Sequence, residues 1–118
     1  MSYLSSNLKE VRGKIFLAME LMKGGQLSNI IKYKKENGQN FTDEEASTIM
    51  KSILEAVDYL HGKNIIHRDL KPDNILIQDL EDYSSIKVAD FGLSAKYEHS
   101  SFNDLDAHAG TLIFMGPE

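Results

Sequence analysis

The sequence has no cysteine and only two prolines among its 118 residues, and basic residues are in the minority. The absence of cysteine excludes disulfide bonds, thiolate zinc sites and catalysis by a thiol. Thirteen basic residues against 18 acidic ones give a formal net charge of −5. This balance argues against a general nucleic-acid binder and against attachment to an anionic membrane surface. No hydrophobic run approaches the ~18 residues of a membrane-spanning helix.

The rest of the composition is that of a globular domain. Hydrophobic residues make up 42% of the chain and charged residues 26%. A chain of this length can bury roughly two-thirds of its unfolded surface, which is enough for one core. The first 14 residues contain neither an apolar stretch of signal-peptide length nor a small-residue cleavage site. We therefore expect an intracellular, cytoplasmic protein.

Hydrophobic patterns predict the elements of the first half. Residues 15–19 (IFLAM) form a short apolar run, which predicts a buried strand followed by a glycine-containing turn at residues 23–25. Residues 26–35 predict a short helix that Asn37-Gly38 ends. The clearest helix covers residues 43–61, where apolar residues recur three and four apart. Thr42 and Glu45 form a capping-box pattern at its start, and Gly62 is well placed to end it.

The second half reads as short strands and loops. Residues 65–66, 75–77 and 86–88 are β-branched runs that predict strands, and residues 78–85 predict a loop that joins the last two runs as a hairpin. From Leu93 to Gly110 the chain is polar and has no hydrophobic period. This stretch predicts a flexible surface loop.

Three motifs in this half carry the chemistry. Residues 67–74 read HRDLKPDN, residues 90–92 read DFG, and residues 110–118 read GTLIFMGPE. They resemble, in the same order, the catalytic loop, the metal-binding triplet and the G-T-x-x-x-x-A-P-E segment of protein kinases, with Gly116 in place of the usual alanine. The eight fixed letters of HRDL, N and DFG would coincide by chance about once in 10¹⁰ trials at ~1/20 per position, which makes coincidence an unsuitable explanation.

The resemblance implies an α+β, protein-kinase-like fold, mostly a helical C-lobe portion with a hinge strand and a short catalytic-loop β-hairpin. One partial kinase domain would cover residues 1–118. Within it we expect a hinge strand and linker at 14–26, a long helix at 43–62, the catalytic loop and metal-binding segment at 65–92, and the activation segment at 93–118. The sequence shows no counterpart of the family's Gly-rich loop, its V-A-I-K lysine or the helices after its last motif. We therefore expect the N-lobe and the late C-lobe helices to be missing.

The resemblance also implies the catalytic roles. Asp69 would accept or orient the proton of the substrate hydroxyl, and Lys71 would reach the γ-phosphate. Asn74 and Asp90 are hard oxygen donors suited to Mg²⁺ ions that bridge the phosphates of ATP. Thr111 stands where the family places a threonine that hydrogen-bonds the catalytic aspartate.

Residues upstream resemble the hinge of kinases in the calcium/calmodulin-dependent group. By that match Met19 would be the gatekeeper, and the Glu20 carbonyl and the Met22 amide would bond the adenine edge. Leu76 would pack beneath the adenine ring, and Gln26 replaces a glutamate that in many relatives contacts the ribose. In isolation, Met19, Met22 and Leu76 would instead be ordinary core residues.

Arg68 precedes the aspartate, as in kinases that are regulated through the activation segment. It is positioned to pair with a phosphate or with a carboxylate that replaces one. Ser100 and Ser101 are phosphorylatable, and our hypothesis is that Asp104 or Asp106 pairs with Arg68 without phosphorylation. The alternative is a solvated segment.

We therefore expect an ATP-dependent serine/threonine protein kinase, which transfers the γ-phosphate to a protein hydroxyl, with ATP and Mg²⁺ as cofactors. Lys71-Pro72 after the leucine is the pattern of the serine/threonine class. The alternative is a non-catalytic, kinase-like interaction or decoy protein, and the isolated chain is expected to be inactive. We expect a protein substrate as partner, and neither nucleic acid nor membrane; the oligomeric state is left open.

Overall fold

A computed structural model describes residues 7–96 and 110–117. It confirms the α+β, kinase-like architecture, in which short antiparallel strands alternate with two α-helices. No helix in these two ranges is both long and apolar enough to cross a membrane. The elements are β1 (Asn7–Val11), β2 (Lys14–Ala18), β3 (Gly25–Gln26), α1 (Leu27–Glu36), α2 (Asp43–Gly62), β4 (Ile65–Ile66), β5 (Ile75–Asp79), β6 (Asp82–Val88) and β7 (Ala95–Lys96), with 3-10 turns at Pro72–Asn74 and Leu112–Phe114.

The first hairpin pairs β1 with β2, with Val11 opposite Lys14. Its two-residue turn, Arg12-Gly13, has φ of 52° and 71°, which is the conformation that a tight hairpin turn requires at both central positions. The predicted strand at residues 15–19 is present, but the prediction that it is buried was wrong. Every residue of β2 is exposed, because β1 is its only strand partner in the described part of the chain and no helix packs on either face.

The first helix, α1, runs from Leu27 to Glu36 and confirms the prediction within one residue. It ends at the predicted dipeptide, where Gly38 takes a φ of 65°. Lys34 lies partly buried on this helix, 3.4 Å from Glu45 of α2. Its Nζ also lies 4.7 Å from the centroid of the Phe41 ring. These contacts tie α1 to the start of α2.

The long helix α2 begins with the predicted capping box. The Thr42 hydroxyl accepts a hydrogen bond from the Glu45 amide at 3.1 Å, and the Glu45 carboxylate accepts one from the Thr42 amide at 2.7 Å. The helix ends at Gly62 as predicted, but the left-handed residue that redirects the chain is Asn64, with a φ of 57°. An asparagine tolerates this conformation better than most residues because its short side chain bonds locally.

A three-stranded antiparallel sheet, in the order β3-β5-β6, forms the centre of the molecule. The prediction that residues 78–85 join the last two runs as a hairpin is confirmed, but the predicted loop was too long. β5 extends to Asp79 and β6 begins at Asp82, which leaves a turn of two residues. Side-chain bonds hold this turn: Asp79 accepts from the Glu81 amide, Asp82 accepts from the Ser84 amide, and Ser85 donates to the Asp82 carbonyl. The core packs one face of this sheet against the helices through Leu27, Ile49, Ile75, Ile77 and Val88.

A further two-stranded sheet pairs β4 with β7, with Ile66 opposite Ala95. The prediction of a flexible surface loop from Leu93 to Gly110 was therefore wrong near its start, because Ala95–Lys96 completes this small sheet. Residues 97–109 lie outside the described ranges. The β4–β7 pairing brings the chain after the DFG motif back to the catalytic loop, and so it positions the site described next.

Candidate active site

His67 anchors the catalytic loop in the protein interior. Its ring is 3% exposed and lies edge-on to Phe91, with ring centroids 5.2 Å apart. Nε2 lies 2.9 Å from the Ala89 carbonyl, and Nδ1 lies 3.2 Å from the backbone nitrogen of Asp69. Because a carbonyl only accepts and an amide only donates, the proton sits on Nε2. The ring therefore joins the HRD and DFG segments.

Asp69 accepts hydrogen bonds from three side chains. Thr111 donates twice to Oδ1, from its backbone nitrogen at 3.0 Å and from its hydroxyl at 2.5 Å. Asn74 donates from Nδ2 to Oδ2 at 3.1 Å, and also to the Asp69 carbonyl at 2.8 Å. Lys71 Nζ lies 3.1 Å from Oδ2 and donates to the Thr111 hydroxyl at 2.7 Å. The structure thus brings together four of the five residues that were predicted to take part in catalysis, and the fifth, Asp90, is described below.

These donors favour the ionised form of Asp69. The Thr111 hydroxyl contributes most, and with Lys71 and Asn74 it holds the pKa of the Asp69 carboxyl below its ordinary value, although partial burial acts in the opposite direction. Only 8% of the residue is exposed. Asp69 is therefore a fixed carboxylate, available at neutral pH to accept a hydrogen bond from a hydroxyl group.

Asn74 and Asp90 lie on adjacent segments. The Asn74 carbonyl accepts from the Ala89 amide at 2.8 Å, which places the start of the DFG motif beside the end of the catalytic loop. Asp90 is exposed and has a φ of 61°, and its Oδ1 accepts from the Gly92 amide at 3.1 Å. Asn74 uses Nδ2 for Asp69, so its amide oxygen is the side-chain atom that these hydrogen bonds leave for a metal ion. Both residues therefore offer oxygen atoms, the ligand type that Mg²⁺ prefers.

The segment predicted as the hinge is held by backbone bonds. Gly24 donates to the Ile77 carbonyl at 2.8 Å, and Gly25 donates to the Met22 carbonyl at 3.1 Å. A Cβ on Gly24 would lie 2.7 Å from that Ile77 oxygen. Met22 is buried at 7% exposure. This close approach to β5 explains why a glycine follows the hinge.

Two of the residues predicted to surround the nucleotide, Leu76 and Gln26, lie on one face of the central sheet. Leu76 pairs with Gln26 on one side and with Lys87 on the other, and the side chains of paired residues point the same way. Lys87 forms an ion pair with Glu20, so β6 is tied to the predicted hinge. The sequence reasoning missed this pair, since no local signal links two residues 67 positions apart.

The alternative assignment of three of these residues to the core holds for only one of them. Met22 is a core residue, Leu76 is half-buried, and Met19 is 52% exposed. Among the described residues no side-chain layer covers Met19. Met19 is therefore exposed and Leu76 partly accessible, and the adenine-binding roles stay predictions.

Arg68 contacts the start of the activation segment. Its Nε donates to the Leu93 carbonyl at 2.5 Å, and its backbone has a φ of 67°. The hypothesis of a carboxylate partner falls on Asp104 and Asp106, which lie outside the described residues together with Ser100 and Ser101. The pairing therefore stays a prediction.

Residues 4–118 match the protein kinase domain. This chain belongs to the protein kinase family. It is 44% identical over 105 residues to myosin light chain kinase A of Dictyostelium discoideum, covering 89% of this chain and 34% of that protein. It is 39% identical over 109 residues to calcium/calmodulin-dependent protein kinase type 1 of Macrobrachium nipponense, covering 92% of this chain and 30% of that protein.

A further relative is MAP kinase-activated protein kinase 2 of Mus musculus, which is 40% identical over 112 residues, or 95% of this chain and 28% of the mouse protein. These relatives bear out the predicted likeness to kinases of the calcium/calmodulin-dependent and serine/threonine type. The chain spans about a third or less of the length of each of these kinases. The kinase family typically uses ATP and acts on proteins.

Proposed function

We propose that this chain is a catalytic segment of a serine/threonine protein kinase, which transfers the γ-phosphate of ATP to a serine or threonine hydroxyl of a protein. The observation that carries the proposal is the carboxylate of Asp69, which is held by Thr111, Lys71 and Asn74 in one network. The serine/threonine kinases to which the chain is similar support the acceptor class.

In this proposal Asp69 receives the substrate hydroxyl. Its Oδ1 is fixed by Thr111, so the carboxylate keeps one orientation as the hydroxyl proton moves toward it. The Lys71 ammonium group lies beside the same carboxylate. Its positive charge would stabilise the negative charge that develops on the phosphoryl group during transfer. Positioning and charge neutralisation are the main requirements of this reaction, and both are met by side chains of the network.

The donor set fits the proposed cofactors. Asn74 and Asp90 would hold Mg²⁺ through oxygen atoms, and Mg²⁺ usually takes one or two protein ligands together with phosphate oxygens and water. Among the described residues, no three or more histidine, cysteine or acidic side chains lie together as a metal site. A Mg²⁺ site with only two protein ligands is compatible with this arrangement. When bound, the ion would neutralise charge on the phosphates. Met19 and Leu76 would contact the adenine.

The test uses the natural-length protein that carries this chain. We would measure transfer of ³²P from [γ-³²P]ATP to peptides that differ only in a serine, threonine or tyrosine acceptor, and Mg·ATP affinity by calorimetry. Asp69→Asn should reduce transfer by roughly 10²–10⁴-fold while nucleotide binding persists. Asp90→Asn should weaken binding in a Mg²⁺-dependent manner.

Asp58→Asn provides the matched control, because Asp58 is exposed on α2 and forms none of the hydrogen bonds or ion pairs of the network. It should change neither transfer nor nucleotide affinity. Preference for the tyrosine peptide would contradict the acceptor class. Absence of both transfer and nucleotide binding in the unmodified protein would overturn the proposal and favour the non-catalytic interaction protein.

A further inference from the structure

Gly110 makes an unusually close approach to the catalytic loop. A Cβ built on Gly110 would lie 2.3 Å from the Arg68 carbonyl oxygen and 3.1 Å from the end of the Met115 side chain. The Met115 side chain is flexible and can move aside, but the Arg68 oxygen belongs to the backbone. Gly110 also has a φ of 131°, a conformation that other residues rarely adopt. Glycine is therefore required here both for space and for backbone conformation.

The Arg68 carbonyl has little freedom to retreat, because the next residue is fixed on several sides. The Asp69 amide donates to the buried ring of His67, and the Asp69 carbonyl accepts from Asn74. Arg68 itself donates from Nε to Leu93. A side chain at position 110 would therefore push the backbone of residue 110 away from the Arg68 carbonyl, which would stay in place.

Such a displacement would also move Thr111, because Thr111 directly follows Gly110 in the chain. An ordinary contact begins at 3.4 Å, so relief of a 2.3 Å contact requires a movement of about 1 Å. The Thr111 hydroxyl and amide lie 2.5 and 3.0 Å from Asp69 Oδ1. A movement of that size away from Asp69 would lengthen both contacts to or beyond the limit of a hydrogen bond.

We propose that Gly110 is a positioning residue, whose missing side chain lets the Arg68 carbonyl pack against it and so places Thr111 on the carboxylate of Asp69. This proposal rests on the proposed function, which it deepens by assigning a role to the glycine of the last motif. Gly110 acts only through Thr111. It touches neither the substrate nor the reacting atoms.

The test compares Gly110→Ala with Gly38→Ala in the full chain. Gly38 also has a positive φ, of 65°, but a Cβ there meets nothing within 4 Å, so this control introduces a methyl group at positive φ without the clash. Hydrogen exchange of the Thr111 amide is followed by NMR. We expect exchange to speed up by roughly 10- to 100-fold in Gly110→Ala, the effect of losing a hydrogen bond to a charged group, and to stay unchanged in Gly38→Ala. A crystal structure of Gly110→Ala should place Thr111 Oγ1 beyond 3.5 Å from Asp69.

A double-mutant cycle in the natural-length protein tests whether Gly110 acts through Thr111. Gly110→Ala and Thr111→Val should each lower kcat, and the double variant should show no further loss. The KM for ATP should be unchanged. Additive losses would overturn the proposal, as would a Gly110→Ala protein whose Thr111 amide remains protected.

Two other outcomes are distinguishable. Loss of the amide signals of the β5–β6 hairpin and α2 in Gly110→Ala would overturn the proposal, since Gly110 would then be needed for folding. Absence of phosphotransfer in the unmodified protein would overturn the proposed function alone. The amide exchange measurement would still decide whether Gly110 places Thr111.

Discussion

Thr111 and Asp69 stand 42 residues apart in the sequence, and the Thr111 hydroxyl lies 2.5 Å from Asp69 Oδ1. The contact joins the described segment that begins at Gly110 to the catalytic loop. It also contributes most to the low pKa of the carboxyl. The orientation of the proposed catalytic base therefore depends on a residue from a different segment of the chain.

Thr111→Val should reduce kcat of the natural-length protein, because it removes the hydroxyl that donates to Asp69 and accepts from Lys71. The loss should be roughly 10- to 100-fold, as expected for one hydrogen bond to a charged group. Steady-state phosphotransfer assays at saturating ATP measure it. Thr111→Ser keeps the hydroxyl and should retain most of the activity; equal losses in the two variants would show that the hydroxyl is not the group that matters.

The sequence predicted those features of the site and of the fold that depend on interactions between residues close together in the chain. The helix α2 was predictable because its cap and its apolar stripe are local, from Thr42 to Leu60. The motifs identified Asp69 and its companions because their order is fixed along the chain. Gly110 was visible only as the glycine before Thr111, and its role became apparent only from its approach to Arg68.

The failures have a common physical cause, which is that burial and strand length depend on distant partners. The apolar run of β2 predicts a strand, but only packing decides whether Phe16 is covered, and it is 55% exposed. The residues Leu80 and Glu81 are not typical of a turn, and side-chain bonds from Asp79 and Asp82 hold the turn instead. Sequence periodicity does not reveal such bonds.

Thr42→Ala should destabilise the chain by about 1 kcal/mol, because it removes the hydroxyl that caps α2. Urea unfolding followed by circular dichroism measures the change. Ser47→Ala is the matched control, since the Ser47 hydroxyl bonds only the Glu44 carbonyl within the same helix. A control that costs as much as Thr42→Ala would mean that the cap contributes nothing of its own.

The stabilisation from Glu45 should disappear in acid. The Thr42 amide, together with Lys34, lowers the pKa of Glu45 below its ordinary value. A group whose pKa is lower in the folded state stabilises the fold above its unfolded pKa, and this stabilisation is lost as the pH falls through the folded pKa. Glu45→Gln should therefore be less stable than the unmodified chain at pH 7, and the two should converge at acidic pH.

The control for this pH dependence is Glu55→Gln, on the exposed side of the same helix, where Glu55 lies 4.0 Å from Lys51. Exposed pairs of this kind contribute little, so its stability should follow that of the unmodified chain across the range. Thermal unfolding in steps of pH measures all three proteins. A constant difference between Glu45→Gln and the unmodified chain at every pH would contradict the assignment to ionisation.

Ile77, in the central strand β5, is the most deeply buried of the residues that the structure describes, at 0% exposure. Ile77→Ala should cost about 2–5 kcal/mol and Ile77→Val about 0.5–1.5 kcal/mol, because the larger truncation leaves the larger cavity. Ile113→Ala is the control, since Ile113 is 83% exposed. Chemical unfolding should rank the three in this order, and a similar cost for Ile113→Ala would indicate that it is covered in solution.

Because α2 exposes apolar side chains, we expect that replacing one of them by a charged residue improves the solubility of the chain without loss of stability. Leu54 is 60% exposed and Met50 is 51% exposed, on the same helix whose Ile49 is 6% exposed. Leu54→Lys should lower light scattering of concentrated samples and leave the midpoint of thermal unfolding within about 2 °C, because surface substitutions rarely exceed ±0.5 kcal/mol. Ile49→Lys, five residues earlier and facing the core, should instead abolish cooperative unfolding, since an unpaired charge cannot be buried there. If Leu54→Lys destabilised the chain as much as Ile49→Lys, the face of α2 that carries Leu54 would be covered in solution. The cover would be a second copy of the chain or another part of its natural-length protein. Analytical ultracentrifugation would measure this association directly.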